Sequence, residues 1–245
     1  LGAEGVAALA AAKVAIVGLG GVGSWAAEAL ARAGLGSFVL VDDDSVCLTN
    51  INRQVIATRQ TVGVPKVRAM AERIRQINPE ASVEEREEYF GPDSAERLVG
   101  PGLSYVVDAI DTVSAKILLV LRAQALGIPI ISAMGTGNKL DPTRLEVADI
   151  YETSVCPLAR VMRYELRRRG VEALRVIYSK ERPIEVVEAD NPCGPHCICP
   201  KKDRTCLGRR SIPGSVSFVP SAAGLIAASV VVRDLVGPRA KREGI

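Results

Sequence analysis

The residues best suited to chemistry fall into three groups. The first opens at Gly18-Leu19-Gly20-Gly21-Val22-Gly23, which follows the apolar run Val14-Ala15-Ile16-Val17 and leads into a helical pattern through Trp25, Ala26 and Leu30 to Gly34. Strand, tight turn and helix with Gly18, Gly20 and Gly23 in this spacing match a dinucleotide-binding turn. Gly18 permits the turn, Gly20 lets a phosphate approach the backbone, and Gly23 lets strand and helix pack closely. The helix N-terminus then offers N–H groups and the positive dipole end to an anion. Asp42 ends the next apolar run about 20 residues on, where an acid can bond ribose hydroxyls. Arg53 and Lys66 add two cations, with Asn50 beside them. Asp111 closes a further apolar run and points into the crevice where open α/β sheets bind ligands. A carboxylate there can hold Mg²⁺ together with phosphate oxygens and water. Two cations, a ribose-ready acid and a metal-ready acid match a nucleoside triphosphate better than NAD.

The second group is basic. Arg160, Arg163 and Arg167 share one stripe of a helix, flanked by Arg168 and Arg169. Such a stripe can track nucleic-acid phosphates, or it can be a solvated face paired with Glu165 and Glu172. Lys201, Lys202, Arg204, Arg209 and Arg210 form a second basic cluster, which favours the nucleic acid. The third group is Cys193, Cys197, Cys199 and Cys206 around His196, the single histidine. Their spacing, Cys-x3-Cys-x-Cys-x6-Cys, is not a standard zinc pattern. Bound Zn²⁺, a redox or disulfide loop and unligated thiols all stay open. A histidine-based triad elsewhere in the chain is excluded.

Elements that could position these groups follow in order. Ser37–Val41 is a second strand. From Asp44 to Gly63 runs a long polar crossover, of the kind that is generally functional. A helix from about Pro65 to Ile77 stops at Asn78-Pro79, and Ser82–Glu88 forms an acidic edge strand. Tyr105–Ile110 is a buried parallel strand, followed by a long helix to Leu126 and a strand at Pro129–Ala133. Five βα-type units therefore occupy residues 14–135. After Met134-Gly135-Thr136-Gly137 the texture changes to short alternating runs, read as antiparallel strands at Arg144–Ile150, Ala173–Tyr178 and Ile184–Glu188. A helix spans about Pro157 to Arg169, the cysteine loop runs from Asn191 to Arg210, and a buried helix from about Pro220 to Leu235 closes the chain. The expected fold is α/β: a Rossmann-like, doubly wound, mainly parallel sheet extended by antiparallel strands. It forms one domain over 1–245, with a nucleotide-binding half (1–135) and a substrate and dimer half (136–245).

The 245 residues carry a net charge of +3, divided as −3 over residues 1–135 and +6 over the remainder. A basic second half suits a large anionic partner. Glu4 and Lys13 interrupt the first apolar stretch, so no secretory pattern is read and a cytoplasmic protein is expected. Ile212 to Val232 is uncharged but broken by Pro213, Gly214, Pro220, Gly224 and several serines, which reads as a strand and a buried helix and not as a membrane span.

Six motifs in register over residues 14–137 carry a family resemblance. They are Gly-Leu-Gly-Gly-Val-Gly (18–23), Val-Asp-Asp-Asp (41–44), Thr-Asn-Ile-Asn-Arg-Gln (49–54), Val-Pro-Lys-Val (64–67), Ile-Asn-Pro (77–79) and Asp-Ala-Ile-Asp-Thr (108–112). Together they resemble the adenylating superfamily of ubiquitin-activating enzymes and the bacterial ThiF, MoeB and HesA proteins. The resemblance implies ATP on the glycine turn at Gly21, ribose on Asp42, phosphates on Arg53 and Lys66 with Asn50 as polar support, and Mg²⁺ on Asp111. Gly-Ser-Trp-Ala-Ala-Glu-Ala-Leu (23–30), Ala-Glu-Arg-Ile-Arg-Gln-Ile-Asn-Pro (71–79), Cys-Pro-Leu-Ala-Arg-Val-Met-Arg (156–163) and Gly-Ser-Val-Ser-Phe-Val-Pro-Ser-Ala-Ala-Gly-Leu-Ile (214–226) are similar to the tRNA threonylcarbamoyladenosine dehydratase branch. That branch implies ATP-dependent activation of the threonyl carboxylate on tRNA and closure to a cyclic form, in a homodimer, with a sulfur-relay or reductase protein as a possible partner. It also implies an upstream arginine delivered across the dimer, whereas the first arginine here is Arg32. The rival activity is adenylation of the C-terminal glycine of a ubiquitin-like sulfur carrier. Further off stand a non-catalytic nucleotide-binding module that docks a partner, against which Arg53 and Lys66 argue, and an NAD oxidoreductase.

Overall fold

Alternation with a period of two sends the side chains of each central strand to opposite faces, and both faces are covered by helices. In the computed structural model, which describes residues 1–185 and 214–237, this is visible in the first strand, β1 (Lys13–Val17). Val14 and Ile16 enter one buried cluster, while Ala15 and Val17 enter another on the opposite face. The remaining strands are β2 (Ser37–Val41), β3 (Ser82–Arg86), β4 (Tyr105–Asp108), β5 (Ile130–Ala133), β6 (Leu145–Asp149) and β7 (Arg175–Ser179). Their order across the sheet is β3-β2-β1-β4-β5-β7-β6.

Strands β1 to β5 are mutually parallel, as the five-unit pattern implies. One expectation needs correction: the run at Ala173–Tyr178 is not wholly antiparallel. Strand β7 pairs parallel with β5, Ser132 opposite Val176, and antiparallel only with β6. The reason is β6, which runs antiparallel to β7 and ends at Asp149 opposite Arg175; α6 (Pro157–Arg167) therefore leaves and re-enters the sheet at one end, and β7 starts again in the direction of β5. Ile184 and Glu185 take no strand geometry, and Val186 to Glu188 lie outside the described residues. Nor is there a strand at Gly214 to Ser217 ahead of the last helix. The expected edge strand is found as β3, with Glu84 paired to Lys13 at 3.1 Å.

The other helices are α1 (Gly2–Ala11), α2 (Gly23–Arg32), α3 (Lys66–Ile77), α4 (Ala95–Leu98), α5 (Val113–Ala125) and α7 (Phe218–Val236). Helices α2, α3 and α7 supply one core; α4 and one face of α5 supply the second; the other face of α5 meets α6 and β7 in a third. Among the described residues α7 is the one helix long and apolar enough to cross a membrane by length and composition. It is built instead into the first core through Ala223, Ala227, Ala228, Val230 and Val231. A β-carbon at Gly224 would lie 2.4 Å from the Val22 carbonyl, so α7 approaches α2 at a place where only hydrogen fits.

In β1, Val17 stands opposite Val41 of β2 and Asp108 of β4, which brings the C-terminal ends of three strands level. The chain winds outward from β1 to β3, then returns to β4 on the other side of β1. That reversal opens a crevice beyond Val17, the usual ligand position in such sheets.

Between α2 and α3 the buried Glu28 accepts hydrogen bonds from Arg73 at 2.5 and 3.0 Å and from Arg32 at 2.9 Å. Burial alone would raise this carboxyl, but the two arginines outweigh it and hold it below its ordinary value of 4.5. The stabilisation is therefore present above pH 4.5 and fades as pH falls through the lowered value. Glu28→Gln is expected to cost about 1.5–3 kcal/mol at pH 7, the range for hydrogen bonds to charged groups. Urea midpoints of the two proteins should converge as the pH is lowered through that depressed value.

Candidate nucleotide site

Glycines set the floor of the crevice. Gly18 has φ +91, and a β-carbon there would stand 2.7 Å from the Ala109 carbonyl. The turn that precedes Asp111 therefore lies directly against the glycine turn. A β-carbon on Gly23 would fall 1.8 Å from the Gly18 carbonyl. Gly20 differs: the nearest atom to its missing β-carbon is Gln54 Nε2, 3.9 Å away, so its backbone is open to an incoming group. Gly21 stands against Pro220 of α7, and a β-carbon there would be 3.4 Å from Arg53 Cγ, which lays the Arg53 stem along the turn.

Asp42 reaches back into this turn. Its carboxylate accepts the Leu19 N–H at 2.6 Å and the Asp44 N–H at 2.9 Å. Lys66, buried at the start of α3, pairs with Asp44 at 2.8 Å and with Asp42 at 3.5 Å. Burial pushes the Asp42 carboxyl above its ordinary value, against the pull of Lys66 and the two N–H groups. Burial also opposes the charge on Lys66, yet the two carboxylates hold its pKa above the ordinary lysine value. The structure thus joins the ribose-ready acid and the phosphate-ready lysine in one ion pair. A carboxylate has about four lone-pair sites, so Asp42 can still accept further hydroxyls.

Arg53 donates to the Thr49 carbonyl at 2.8 Å and to Asn52 Oδ1 at 3.0 Å, while its own carbonyl accepts the Trp25 indole N–H at 3.0 Å. Burial draws its pKa below the ordinary arginine value, partly opposed by Cys47. Asn50 is buried, and its Oδ1 accepts the Cys47 N–H at 3.0 Å, bracing the 3₁₀ turn at Leu48–Asn50. Asp111 lies exposed just past β4, with Thr112 donating to its Oδ1 at 3.3 Å. An exposed carboxylate oxygen is the hard donor that Mg²⁺ takes alongside phosphate oxygens. The residues present therefore fit that ion.

Two features escaped sequence reasoning. Asp108 and Lys116 are fully buried and paired at 2.9 Å. Ser132 also donates to Asp108, at 2.5 Å, and Asp108 accepts the Ile110 N–H at 3.1 Å. Lys116 further donates to the carbonyls of Ile110 at 3.2 Å and Ala133 at 2.8 Å. This network fixes the turn that presents Asp111 and ties the ends of β4 and β5 together. Its one sequence signal is a lysine inside the apolar run Ala115-Lys116-Ile117-Leu118-Leu119. The other feature is Gln54, which is buried beside Gly20 with an Oε1 that has no hydrogen-bond partner.

The basic stripe is not uniform. Arg160 is exposed, Arg167 covers the Tyr151 ring at 4.9 Å, and Arg163 turns inward to donate to the Thr153 carbonyl at 2.9 Å and to its hydroxyl. The cysteine group Cys193, Cys197, Cys199 and Cys206 and the basic cluster Lys201 to Arg210 lie outside the described residues.

A doubly wound sheet with a glycine turn, strand-end acids and two cations at its switch point defines a nucleotide-binding α/β protein. The ThiF family profile matches residues 1–242, and the chain belongs to that family. It is 44% identical to the tRNA threonylcarbamoyladenosine dehydratase of Bacillus subtilis over 239 residues, 96% of this chain and 91% of that enzyme. Identity to the dehydratase of the same name from Escherichia coli is 36%, over 95% of this chain and 89% of the relative. The crystal structure of the E. coli tRNA N6-threonylcarbamoyladenosine dehydratase TcdA in complex with ATP superposes with a TM-score of 0.80 at 35% identity, covering 96% of this chain and 89% of that one.

Removing one member of a fully buried pair leaves the other charge uncompensated. Lys116→Met is accordingly expected to cost about 3–5 kcal/mol. Asp108→Asn combined with Lys116→Met should cost clearly less than the sum of the two single changes, as read from urea unfolding of all four proteins.

Proposed function

We propose that this chain carries out the ATP-dependent cyclodehydration of threonylcarbamoyladenosine in tRNA. The observation that carries the proposal is that Gly18 to Gly23, Asp42, Arg53, Lys66 and Asp111 meet at one switch point in a chain similar end to end to dehydratases of that name. A carboxylate oxygen of the threonyl group attacks the α-phosphorus of ATP, an O–P bond forms, and pyrophosphate leaves. The glycine-turn N–H groups and the α2 N-terminus hold phosphate oxygens. Arg53 and Lys66 offset charge on the β- and γ-phosphates through charge-assisted hydrogen bonds. Asp42 accepts from the ribose hydroxyls, with Asn50 stiffening the crossover that carries Arg53. Mg²⁺ held on Asp111 would screen the triphosphate and ease departure of pyrophosphate.

Ring closure follows without an enzyme nucleophile. A ureido nitrogen of the substrate attacks the acyl carbon, loses its proton, and AMP departs with the former carboxylate oxygen. Tethered attack of this kind has effective molarities of about 10⁵ M or more. Arg160, Arg163 and Arg167 are proposed to meet tRNA, with Arg163 acting from its position on Thr153. The chain is taken as one domain whose 1–135 half binds nucleotide and whose 136–245 half serves substrate and a homodimer contact, in the cytoplasm. Zn²⁺ on Cys193, Cys197, Cys199 and Cys206, and a sulfur-relay or reductase partner, remain proposals from the sequence.

Incubation with ATP and modified tRNA should yield AMP, pyrophosphate and a nucleoside lighter by one water, read by mass spectrometry. Arg53→Ala should lower turnover by about 100-fold, the scale of one lost charge stabiliser in a transition state. Asp111→Asn should depress turnover more than ATP affinity and raise the Mg²⁺ requirement. If the tRNA is unchanged and a Gly-Gly-terminated carrier is adenylated instead, the carrier activity is the correct one.

The basic face has its own measurement. The log–log slope of tRNA affinity against salt should flatten by about 1 for Arg160→Ala, with ATP affinity unchanged. An unaltered slope would remove Arg160 from the interface.

A further inference from the structure

Besides Lys66, two lysines are buried at the C-terminal edge of the sheet, and they are satisfied differently. Lys116 spends its ammonium on Asp108 and two carbonyls. Lys139 is 2% exposed and, among the described residues, donates only to the Gly135 carbonyl, at 2.6 Å. An ammonium carries three donors, so two of them have no described acceptor. A buried charge without full pairing is costly. Burial accordingly draws the Lys139 pKa below the ordinary lysine value, with Cys156 and Glu181 pulling it back. Glu181 is committed elsewhere, accepting the Leu140 N–H at 2.9 Å and the Asp141 N–H at 2.9 Å.

Hydrogen bonds place the backbone segment that carries Lys139 between the two sides of the nucleotide site, and the amine folds back onto that segment at the Gly135 carbonyl. On one side, Lys116 holds the Ile110 and Ala133 carbonyls on a single ammonium, so the chain leaving β5 starts beside the Asp111 turn and reaches Gly135 two residues later. On the other side, the Asn138 N–H donates to the Gly214 carbonyl at 2.8 Å, and the next carbonyl, of Ser215, accepts from Asn52 at 2.8 Å, one residue from Arg53. The segment 135–139 thus spans from Asp111 to Arg53.

Strain marks the same place. Among the described residues the non-glycine positions with positive φ are Asn138 at 57° and Val155 at 60°. Asn138 adjoins Lys139, and Val155 precedes Cys156, whose sulfur would lie 3.8 Å from a β-carbon on Gly135. Left-handed backbone at such residues persists where surrounding structure over-determines it, often at ligand sites. Asn138 Oδ1 is also buried without a hydrogen-bond partner.

We propose that Lys139 Nζ receives the substrate carboxylate that is to be adenylated, and orients it toward the α-phosphorus. This rests on the reaction proposed above. One carboxylate oxygen accepts from Nζ while the other forms the new O–P bond, and Lys139 keeps its proton throughout. After pyrophosphate leaves, the same N–H donates to the acyl carbonyl and polarises it for ring closure.

The test is ATP–pyrophosphate exchange driven by threonylcarbamoyladenosine-containing tRNA, which reads adenylation apart from cyclisation. Lys139→Gln keeps a donor for the Gly135 carbonyl but removes the charge, and Lys139→Arg keeps the charge. We expect Lys139→Gln to lose about 100-fold or more in kcat/KM for tRNA-dependent exchange. Its ATP affinity should stay within about three-fold of the wild type, and Lys139→Arg should recover part of the exchange. Wild-type exchange in Lys139→Gln overturns the proposal. So does loss of ATP binding in step with exchange, or a failure to fold in Lys139→Gln with full activity in Lys139→Met, since either gives the lysine a purely structural role. Absence of exchange in the wild-type protein overturns the reaction itself, and this proposal with it.

Discussion

The constraint on which the site depends is the space denied to residue 23. The Gly18 carbonyl occupies the place of a β-carbon there, at 1.8 Å. Because of that contact α2 lies down on β1 and aims its N-terminus at the crevice. Ser24 secures the arrangement, donating both its backbone N–H and its hydroxyl to the Gly20 carbonyl at 3.1 and 2.7 Å. Two further close approaches extend it: Gly18 against Ala109 brings in the β4 turn, and Gly224 against Val22 brings in α7. Three contacts where only hydrogen fits thus set the depth of the site from β4 through α2 to the last helix.

Charges on the two sides of this stack are paired according to their task, one pair fully buried and the other partly exposed. Asp108 and Lys116 saturate each other and the carbonyls around them, which suits a fixture holding two strand ends at one level. At the opposite edge of the sheet the buried Tyr105 donates its hydroxyl to Asp234 at 2.9 Å, and Arg175 pairs with the same carboxylate at 2.5 Å. That contact moors the end of α7 to the starts of β4 and β7. A helix that is apolar enough to be taken for a membrane span is instead pinned at both ends, by Pro220 on Gly21 and by Asp234.

Much of this was legible in the residues. Short apolar runs marked the central parallel strands of the first half, the acidic run at Ser82–Glu88 marked the edge, and six motifs in register located the crevice. What stayed hidden depended on distances across the sheet. The direction of β7 relative to β5 follows from which strand it inserts beside, between β5 and β6, which no local pattern records. Arg163 and Arg167 share a stripe with Arg160 by periodicity, yet Thr153 and Tyr151 engage two of the three. The helix α1 has only Leu9 and Gly5 buried, and its alanine-rich sequence carries little amphipathic signal. Lys66 was visible as a cation near phosphate, but its pairing with Asp42 required the fold.

That last pairing says how the site can exchange partners at low cost. Lys66 bridges two carboxylates of unequal exposure: the Asp42 side chain is 8% accessible and that of Asp44 60%. Releasing Asp44 returns a charge to water, where its hydration offsets the lost contact. Releasing Asp42 would strand a carboxylate in a poorly solvated place, which is far costlier. A phosphate oxygen arriving at Lys66 should therefore displace Asp44 and leave Asp42 in position beneath the glycine turn. The lysine stays charged before and after, because one anionic neighbour replaces another and its pKa is already held above the ordinary value. The acid proposed for ribose and the cation proposed for phosphate are thereby kept in register by the same buried ion pair.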